Sequence, residues 1–479
     1  MVYAFRKPLT LLFVWAVATM AAAQVTFTQS AINSGDTSSS GITNGDFDND
    51  GILDLITINT STISFYKGLG GGKFAAPVNE HLPSPSGQVV AGDFNRDGKL
   101  DLAIAPACCG GSGEVTIMLG NGNGTFTQGE TISGTAAGSY IALADFNGDH
   151  LPDLAVSIFG TPGSTEVFLG QGDGTFRHTV TLAEGSYQIV AGDFNADGHQ
   201  DVAVIAPSGV ALYLGNGSGT FQSPLLASLS NVASIAVGDF YNNRIQTLAV
   251  LVTAFIGQGN FSNTLYSLRY HNGQWVAENR NVISAVTGDP YEQIIGGDLN
   301  GDFKDDIFLA GGNFQGSAVS AYMLGNGNGT FQALNSAPGW MDLQYFPFIR
   351  DLNLDSRHDV GIAWTSIFGS TGGAEVLLNT NAVTNCTPPK ANALSVHICA
   401  PASGQTVGQT ITFKGAGNAW NGFAKRMELW IDGKKVGQNL EDQLKMTATL
   451  AKGSHTAAFV VVDSFDNHTA QSVSFTSSY

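Results

Sequence analysis

The chain is poor in charge, and poorest in positive charge. Only 13% of its 479 residues are charged, 21 Lys and Arg against 39 Asp and Glu, for a net charge of −18. That balance argues against nucleic acid and anionic membrane as partners, since both select basic surfaces. Four Cys are too few for a disulfide-built scaffold. Beyond residue 24 no apolar run reaches the roughly 18 residues a membrane helix needs, so no membrane insertion is expected. Helix-favouring stretches are scarce. HExxH and GxSxG are absent and the nine His are scattered, so no catalytic constellation stands out. Repeated carboxylates can imitate a glycosidase pair; a polysaccharide lyase or hydrolase is therefore the alternative reading, behind a non-enzymatic one.

Glycine, at 60 residues, is what the chain has in plenty. With 43% hydrophobic content, it points to many short strands joined by tight turns. The length exceeds one ordinary core, so two or more domains are expected. The N-terminus is read as a signal peptide over residues 1–23. Arg6 and Lys7 precede an apolar run from Leu9 to Met20, and Ala21-Ala22-Ala23 supplies the small-residue site. The expected product is exported: secreted, periplasmic or cell-surface associated, where disulfides form. Cys386 and Cys399 are spaced to close a small loop at a domain junction. Adjacent Cys108 and Cys109 form either a vicinal disulfide or two thiols.

One eleven-residue segment recurs seven times. It reads GDFDNDGILDL from Gly45, GDFNRDGKLDL from Gly92, ADFNGDHLPDL from Ala144 and GDFNADGHQDV from Gly192. GDFYNNRIQTL from Gly238, GDLNGDFKDDI from Gly297 and RDLNLDSRHDV from Arg350 complete the set. Numbered from the first Asp, oxygen-bearing side chains fall at positions 1, 3, 5 and 9. The loops begin at Asp46, Asp93, Asp145, Asp193, Asp239, Asp298 and Asp351, spaced by 47, 52, 48, 46, 59 and 53 residues. Strand-rich periods near 50 are those of propeller blades. A second element keeps the period: glycine turns of the LGNGNGTF type end at Phe126, Phe176, Phe221 and Phe331, with a looser copy at Phe74. Each such Phe is expected to anchor its blade on a neighbour.

The seventh repeat lacks this turn, whereas the mature chain opens with Val25-Thr26-Phe27, and Phe27 precedes Asp46 by 19 residues. The N-terminal strand is therefore expected to complete the last blade and close the ring, removing sheet edges. Past Asn385 the pattern changes. Residues 386–392 read as a linker, and 393–479 as alternating strands of an immunoglobulin-like sandwich, with Asp432-Gly433 as a hairpin turn. The fold class is all-β: a seven-bladed β-propeller over 24–385 followed by that sandwich.

Carboxylates at positions 1, 3 and 5, a carbonyl at 7 and an Asp at 9 suit calcium, which takes six to eight oxygens. A strand, not a helix, follows position 9, which excludes an EF-hand; zinc is disfavoured because the cages lack Cys and His sets. The first loop offers Asp46, Asp48, Asp50 and Asp54 with the carbonyl of Ile52. Nineteen acidic side chains sit at such positions in six loops. Residues 387–479, in contrast, carry eight Lys/Arg against six Asp/Glu, so the acidity belongs to the motif.

These loops resemble the FG-GAP (or VCBS) repeats of integrin alpha propellers and of many secreted bacterial proteins. The resemblance implies calcium held on one face of a propeller, in up to six sites. Carried over, the second site uses Asp93, Asn95, Asp97, Lys99 and Asp101, and the third Asp145, Asn147, Asp149, Leu151 and Asp153. The fourth uses Asp193, Asn195, Asp197, His199 and Asp201. The sixth uses Asp298, Asn300, Asp302, Lys304 and Asp306, and the seventh Asp351, Asn353, Asp355, Arg357 and Asp359. In each, position 7 contributes its carbonyl. Gly at position 6 eases the turn in loops one, two and four. His150, Phe303 and Ser356 replace it elsewhere and weaken those sites. Loop five, with Tyr241, Asn243 and Thr247 at ligand positions, is expected to be empty. The C-terminal MELWIDGKKV and GSHTAAFVVVDSFDN resemble bacterial Ig-like modules. The expected role is a monomeric extracellular binding or adhesion module for a protein or glycan, with calcium mainly structural. The fifth repeat, with the longest spacing, is the expected special surface.

Overall fold

The computed structural model describes residues 25–478 apart from 34–38, 60, 83–85, 107–112, 136–139, 161–162, 186, 258–259, 288–290, 312–319, 339–342, 356, 366–371, 381–385, 387–388, 390–392, 420–423 and 441. The leader, Cys108, Cys109 and Ser356 thus lie outside the described residues.

Among the described residues there is no helix. Seven four-stranded antiparallel sheets follow one another along the chain in propeller-like fashion. The third is typical. Tyr140–Ala144 leads into the acidic loop, Asp153–Ile158 leaves it, Ser164–Gly170 returns, and Phe176–Leu182 forms the outer edge. The strand after the loop is buried along its whole length. It carries apolar residues toward both neighbouring sheets, which is why it reads as a continuous run and not an alternating one.

The inner strands touch in sequence around the molecule, and that of the seventh sheet meets that of the first. Backbone-to-side-chain clips join some of them: Gln88 Oε1 accepts from Ile141 N (2.7 Å), Gln188 from Ile235 N (2.9 Å) and Gln293 from Phe346 N (2.5 Å). The seventh sheet takes its outer strand from the N-terminus. Phe27–Asn33 pairs antiparallel with Gly372–Asn379, Phe27 opposite Asn379 and Asn33 opposite Gly373. First and last segments therefore share one sheet.

The glycine-turn phenylalanines pack between sheets as the repeat spacing predicts. Phe126, Phe176, Phe221 and Phe331 meet the position-2 aromatics Phe47, Phe94, Phe146 and Phe240 of the preceding loops edge-to-face, with centroids 5.3–5.9 Å apart. The fifth repeat has no such Phe. Trp275 takes the place, 5.8 Å from Phe194. The second and third strands of this fifth sheet run long, Thr247–Gly257 and Asn260–His271. Their ends expose Phe255 and Ile256, and Phe255 stacks edge-to-face on Phe261.

Residues 395–477 form a three-stranded sheet and a five-stranded sheet around Phe413, Met427, Phe459 and Phe475. Asp432 and Gly433 both adopt positive φ (50° and 76°) and turn Ala424–Ile431 into Lys434–Asn439, the mirror-image turn that fits strand twist. Cys386 and Cys399 form a disulfide, which ties the segment before this unit to its first strand, Ser395–Ala400.

Candidate functional site

Each acidic loop is built by its first Asp. Asp46 Oδ1 accepts from Asp50 N (3.0 Å) and Oδ2 from Gly51 N (2.8 Å). Asp93, Asp145, Asp193 and Asp298 make the same pair of bonds to positions 5 and 6. The position-5 carboxylate then accepts from the N–H of position 7: Ile52, Lys99, Leu151, His199, Lys304 or Arg357. The position-7 carbonyls are not used by these bonds. Two residues must turn left-handed, at positions 4 and 6. Gly51, Gly98 and Gly198 do so freely, but His150 (φ 65°) and Phe303 (φ 64°) do so with a side chain, at a conformational cost. The second left-handed position, occupied by Asn49, Arg96 and Ala196 among others, was not legible in the motif.

Asp46, Asp48 and Asp50 place carboxylate oxygens within 4.8 Å of one another. Three convergent carboxylates fit a hard divalent cation. Lys67 Nζ bonds both Asp48 and Asp50, the latter at 2.6 Å, so an ammonium neutralises part of this cage. Elsewhere the position-7 side chain plays that part. Lys99 pairs with Asp97 (3.3 Å), Lys304 with Asp302 (2.9 Å) and Arg357 with Asp355 (2.8 Å). Burial raises the pKa of Asp46 and of Asp93.

Position 9 differs from the rest. Asp54, Asp101, Asp153, Asp201, Asp306 and Asp359 are fully buried. One oxygen of each accepts from the backbone N–H of position 2 at 2.8–2.9 Å. The other accepts from the end of the third strand, at Gly68, Gly120, Gly170, Gly215, Gly325 or Asn379, at 2.7–2.8 Å. These aspartates clip loop to sheet. Burial lifts Asp54, Asp101 and Asp201 to about 7 and Asp153 and Asp359 to about 8.

Loop five keeps the turn and loses the donors. Asp239 still accepts from Asn243 N and Arg244 N, but Thr247 Oγ1 donates to Gly238 O where the clip belongs. Tyr241 lies under the Arg269 guanidinium, 4.9 Å from ring centroid to Cζ.

The glycine turns share the face of the acidic loops. Gly124, Gly174, Gly219 and Gly329 donate N–H to the carbonyls of Phe47, Phe94, Phe146 and Phe240 at 2.8–3.1 Å. A Cβ on Gly124 would strike the Phe65 ring, so glycine there serves close approach. The C-terminal unit docks on the same face through residues that depart from the repeat. His150 Nδ1 lies 2.9 Å from Phe465 O. Arg350, which precedes the seventh loop, donates to Asn418 Oδ1 (3.2 Å) and Ala419 O (2.9 Å). His358 pairs with Asp442 (3.2 Å) and meets Asp298 O at 3.1 Å. Burial opposes the charge on His358, but Asp442 and Asp298 outweigh it and raise its pKa to about 10.

Four stretches, residues 46–104, 107–156, 155–204 and 193–246, match the FG-GAP-like repeat. No curated protein matches the sequence. Among solved structures, an Agrocybe aegerita lectin that recognises non-reducing terminal N-acetylglucosamine is 16% identical. It covers 63% of this chain and 80% of its own, with a TM-score of 0.43. Saccharomyces cerevisiae Sqt1 is 10% identical over 74% of this chain and 98% of its own, TM-score 0.45. Fibronectin(III)-like modules of Clostridium thermocellum CbhA are 19% identical over 18% of this chain and all of theirs, TM-score 0.17.

Proposed function

We propose that the chain is a secreted seven-bladed β-propeller with a C-terminal Ig-like sandwich. It acts as an extracellular binding module for a protein or glycan, with calcium as structural cofactor. The observation that carries this reading is the division of labour between the two faces. Four glycine turns are bonded to the acidic loops of the neighbouring sheets, and His150 of the third loop and Arg350 beside the seventh contact the C-terminal unit. Among the described residues, the exposed Phe255, stacked on the partly buried Phe261, stands at the opposite ends of the strands. An exposed aromatic of this kind is suited to ligand recognition.

Calcium would be held at loop one by Asp46, Asp48, Asp50, Asp54 and the Ile52 carbonyl, and by the corresponding residues of loops two, three, four, six and seven. It would neutralise carboxylates that otherwise repel one another. A glycosidase needs two carboxyl groups facing substrate. The buried aspartates of position 9 are engaged by backbone N–H groups, which favours a binding role over hydrolysis.

The test is direct. Melting curves in excess calcium and in EDTA should differ by many degrees, and superimposable curves would refute the cofactor assignment. A calcium-loaded glycan array run beside a pull-down from extracellular matrix should yield a retained ligand. Release of reducing sugar or of unsaturated product would instead establish an enzyme.

A further inference from the structure

The C-terminal unit, a cap on the acidic-loop face, is gripped by the seventh loop at both of its ends. Arg350 stands immediately before Asp351, the first oxygen donor of that loop, and donates to Asn418 Oδ1 (3.2 Å) and Ala419 O (2.9 Å) of the cap. His358 stands immediately before Asp359, the last donor, and its Nε2 meets Asp442 Oδ1 of the cap at 3.2 Å. The two side chains that hold the cap are thus the chain neighbours of the two outermost ligand positions.

His358 also reaches the sixth loop. Its Nδ1 meets the carbonyl oxygen of Asp298, the first donor there, at 3.1 Å. Both ring partners are acceptors, so both ring nitrogens donate. Position 8 makes the same kind of contact elsewhere, with the first residue of the preceding loop. Gln246 Oε1 accepts from Asp193 N (2.7 Å) and Asp305 Oδ2 from Asp239 N (2.5 Å). In loop seven this position carries a ring with a second nitrogen, and that nitrogen meets the cap. Asn379 joins the same two loops. Its Nδ2 donates to Leu299 O of loop six (2.6 Å) and to His358 O of loop seven (3.2 Å), while its backbone N–H donates to Asp359 Oδ1 (2.8 Å). One run of hydrogen bonds therefore connects loop six, loop seven, the buried Asp359 and Asp442 of the cap.

The shape of loop seven decides whether Arg350 and His358 meet their partners together. Asp351, Asp355 and Asp359 crowd like charge into one short loop and repel one another. The Arg357–Asp355 pair (2.8 Å) offsets part of this. A cation that gathers the three carboxylates fixes one end of the loop against the other, and so fixes the spacing of the grip.

We propose that the calcium sites of loops six and seven and the docking of the C-terminal unit form one coupled device. Metal at these loops holds Arg350 and His358 in register with the cap, and metal removal releases the cap from the ring. Coupling is reciprocal, so the docked cap tightens calcium at the same loops. The proposal rests on the reading of calcium as a structural cofactor and adds to it a metal-controlled contact between the two units. His150 of the third loop makes a contact of its own, 2.9 Å from Phe465 O, so the second loop is the control.

The experiment is limited proteolysis between the ring and the cap in the full chain, with small-angle scattering beside it, in calcium and in EDTA. The variants are Asp355→Ala in loop seven, Asp97→Ala in loop two, His358→Ala, and Asp355→Ala combined with His358→Ala. Asp355→Asn repeats the test should Asp355→Ala fail to fold. In calcium, Asp355→Ala should speed cleavage by about fivefold or more and enlarge the radius of gyration, as EDTA does for the unaltered chain, while Asp97→Ala should not. Asp355→Ala should add nothing to His358→Ala, because both act through one grip. Calcium titration reads the reverse direction: His358→Ala removes no oxygen donor, yet should weaken calcium binding. Calcium binding with equal cleavage of Asp355→Ala and Asp97→Ala, or slower cleavage in EDTA, would overturn the coupling and leave the cofactor reading intact. A chain that binds no calcium would overturn both.

Discussion

Asp153 shows how one residue can serve two purposes. Its oxygens accept from Phe146 N (2.8 Å) and Gly170 N (2.8 Å) and it is fully buried. Replacing it by Ala leaves two buried N–H groups unpaired, and a loss of about 2–5 kcal/mol follows even without metal. Asp149→Ala, at position 5, should cost little in EDTA and show its effect only in calcium; chemical denaturation in both conditions checks the pair. Lys67 is the second case. Its ammonium holds Asp48 and Asp50, so it competes with a cation. Lys67→Ala should tighten calcium at the first loop several-fold, measured by titration against a chromophoric chelator. The spacing of oxygens at 1, 3, 5 and 9 was legible in sequence. That position 9 is a clip to the third strand was not, because its N–H partners lie 14–20 residues away.

Between elements, the contact of one glycine-turn Phe with the position-2 aromatic of the preceding loop repeats around the ring. Phe176→Ala removes a ring packed 5.3 Å from Phe94 and should cost about 3–5 kcal/mol. Trp275→Ala should cost a similar amount, although no glycine turn announces it, because Trp275 fills the equivalent space against Phe194. Thermal or urea unfolding of the two variants measures this equivalence. The period and the anchors could be read from the chain because each repeats a fixed separation. Trp275 could not, since the long strands of the fifth sheet shift its place in sequence while keeping its place in space.

At the scale of the molecule, proton and metal act on the same groups. In the metal-free fold Asp54, Asp101 and Asp201 titrate at about 7 and Asp153 and Asp359 at about 8, against 3.8 in the unfolded chain. Between those values the folded chain holds protons that the unfolded chain has released. Metal-free stability therefore falls as pH rises from about 4 to 8. Calcium requires the ionised form and binds with proton release, so its stabilising effect should grow over the same window. Melting temperatures from pH 5 to pH 8, with and without calcium, test both slopes. Arg350→Ala should strip the cap of two hydrogen bonds and speed proteolysis between the ring and the C-terminal unit.

Sequence alone determined the repeat, the spacing of its oxygen-bearing side chains, the strands that make up the described residues and the N-terminal strand that completes the seventh sheet. All of these are periodic or local, so spacing and residue type suffice to state them. Tertiary structure alone decided where the departures from the repeat lead. His150 and His358 look like flaws in a metal loop, yet they contact Phe465 and Asp442 of the C-terminal unit. Phe346 looks like one more apolar residue, yet it meets Tyr140 across the ring axis. Such pairs are brought together by closure of the ring and docking of the cap, and separations of 84 to 315 residues leave no trace of that in the order of the chain.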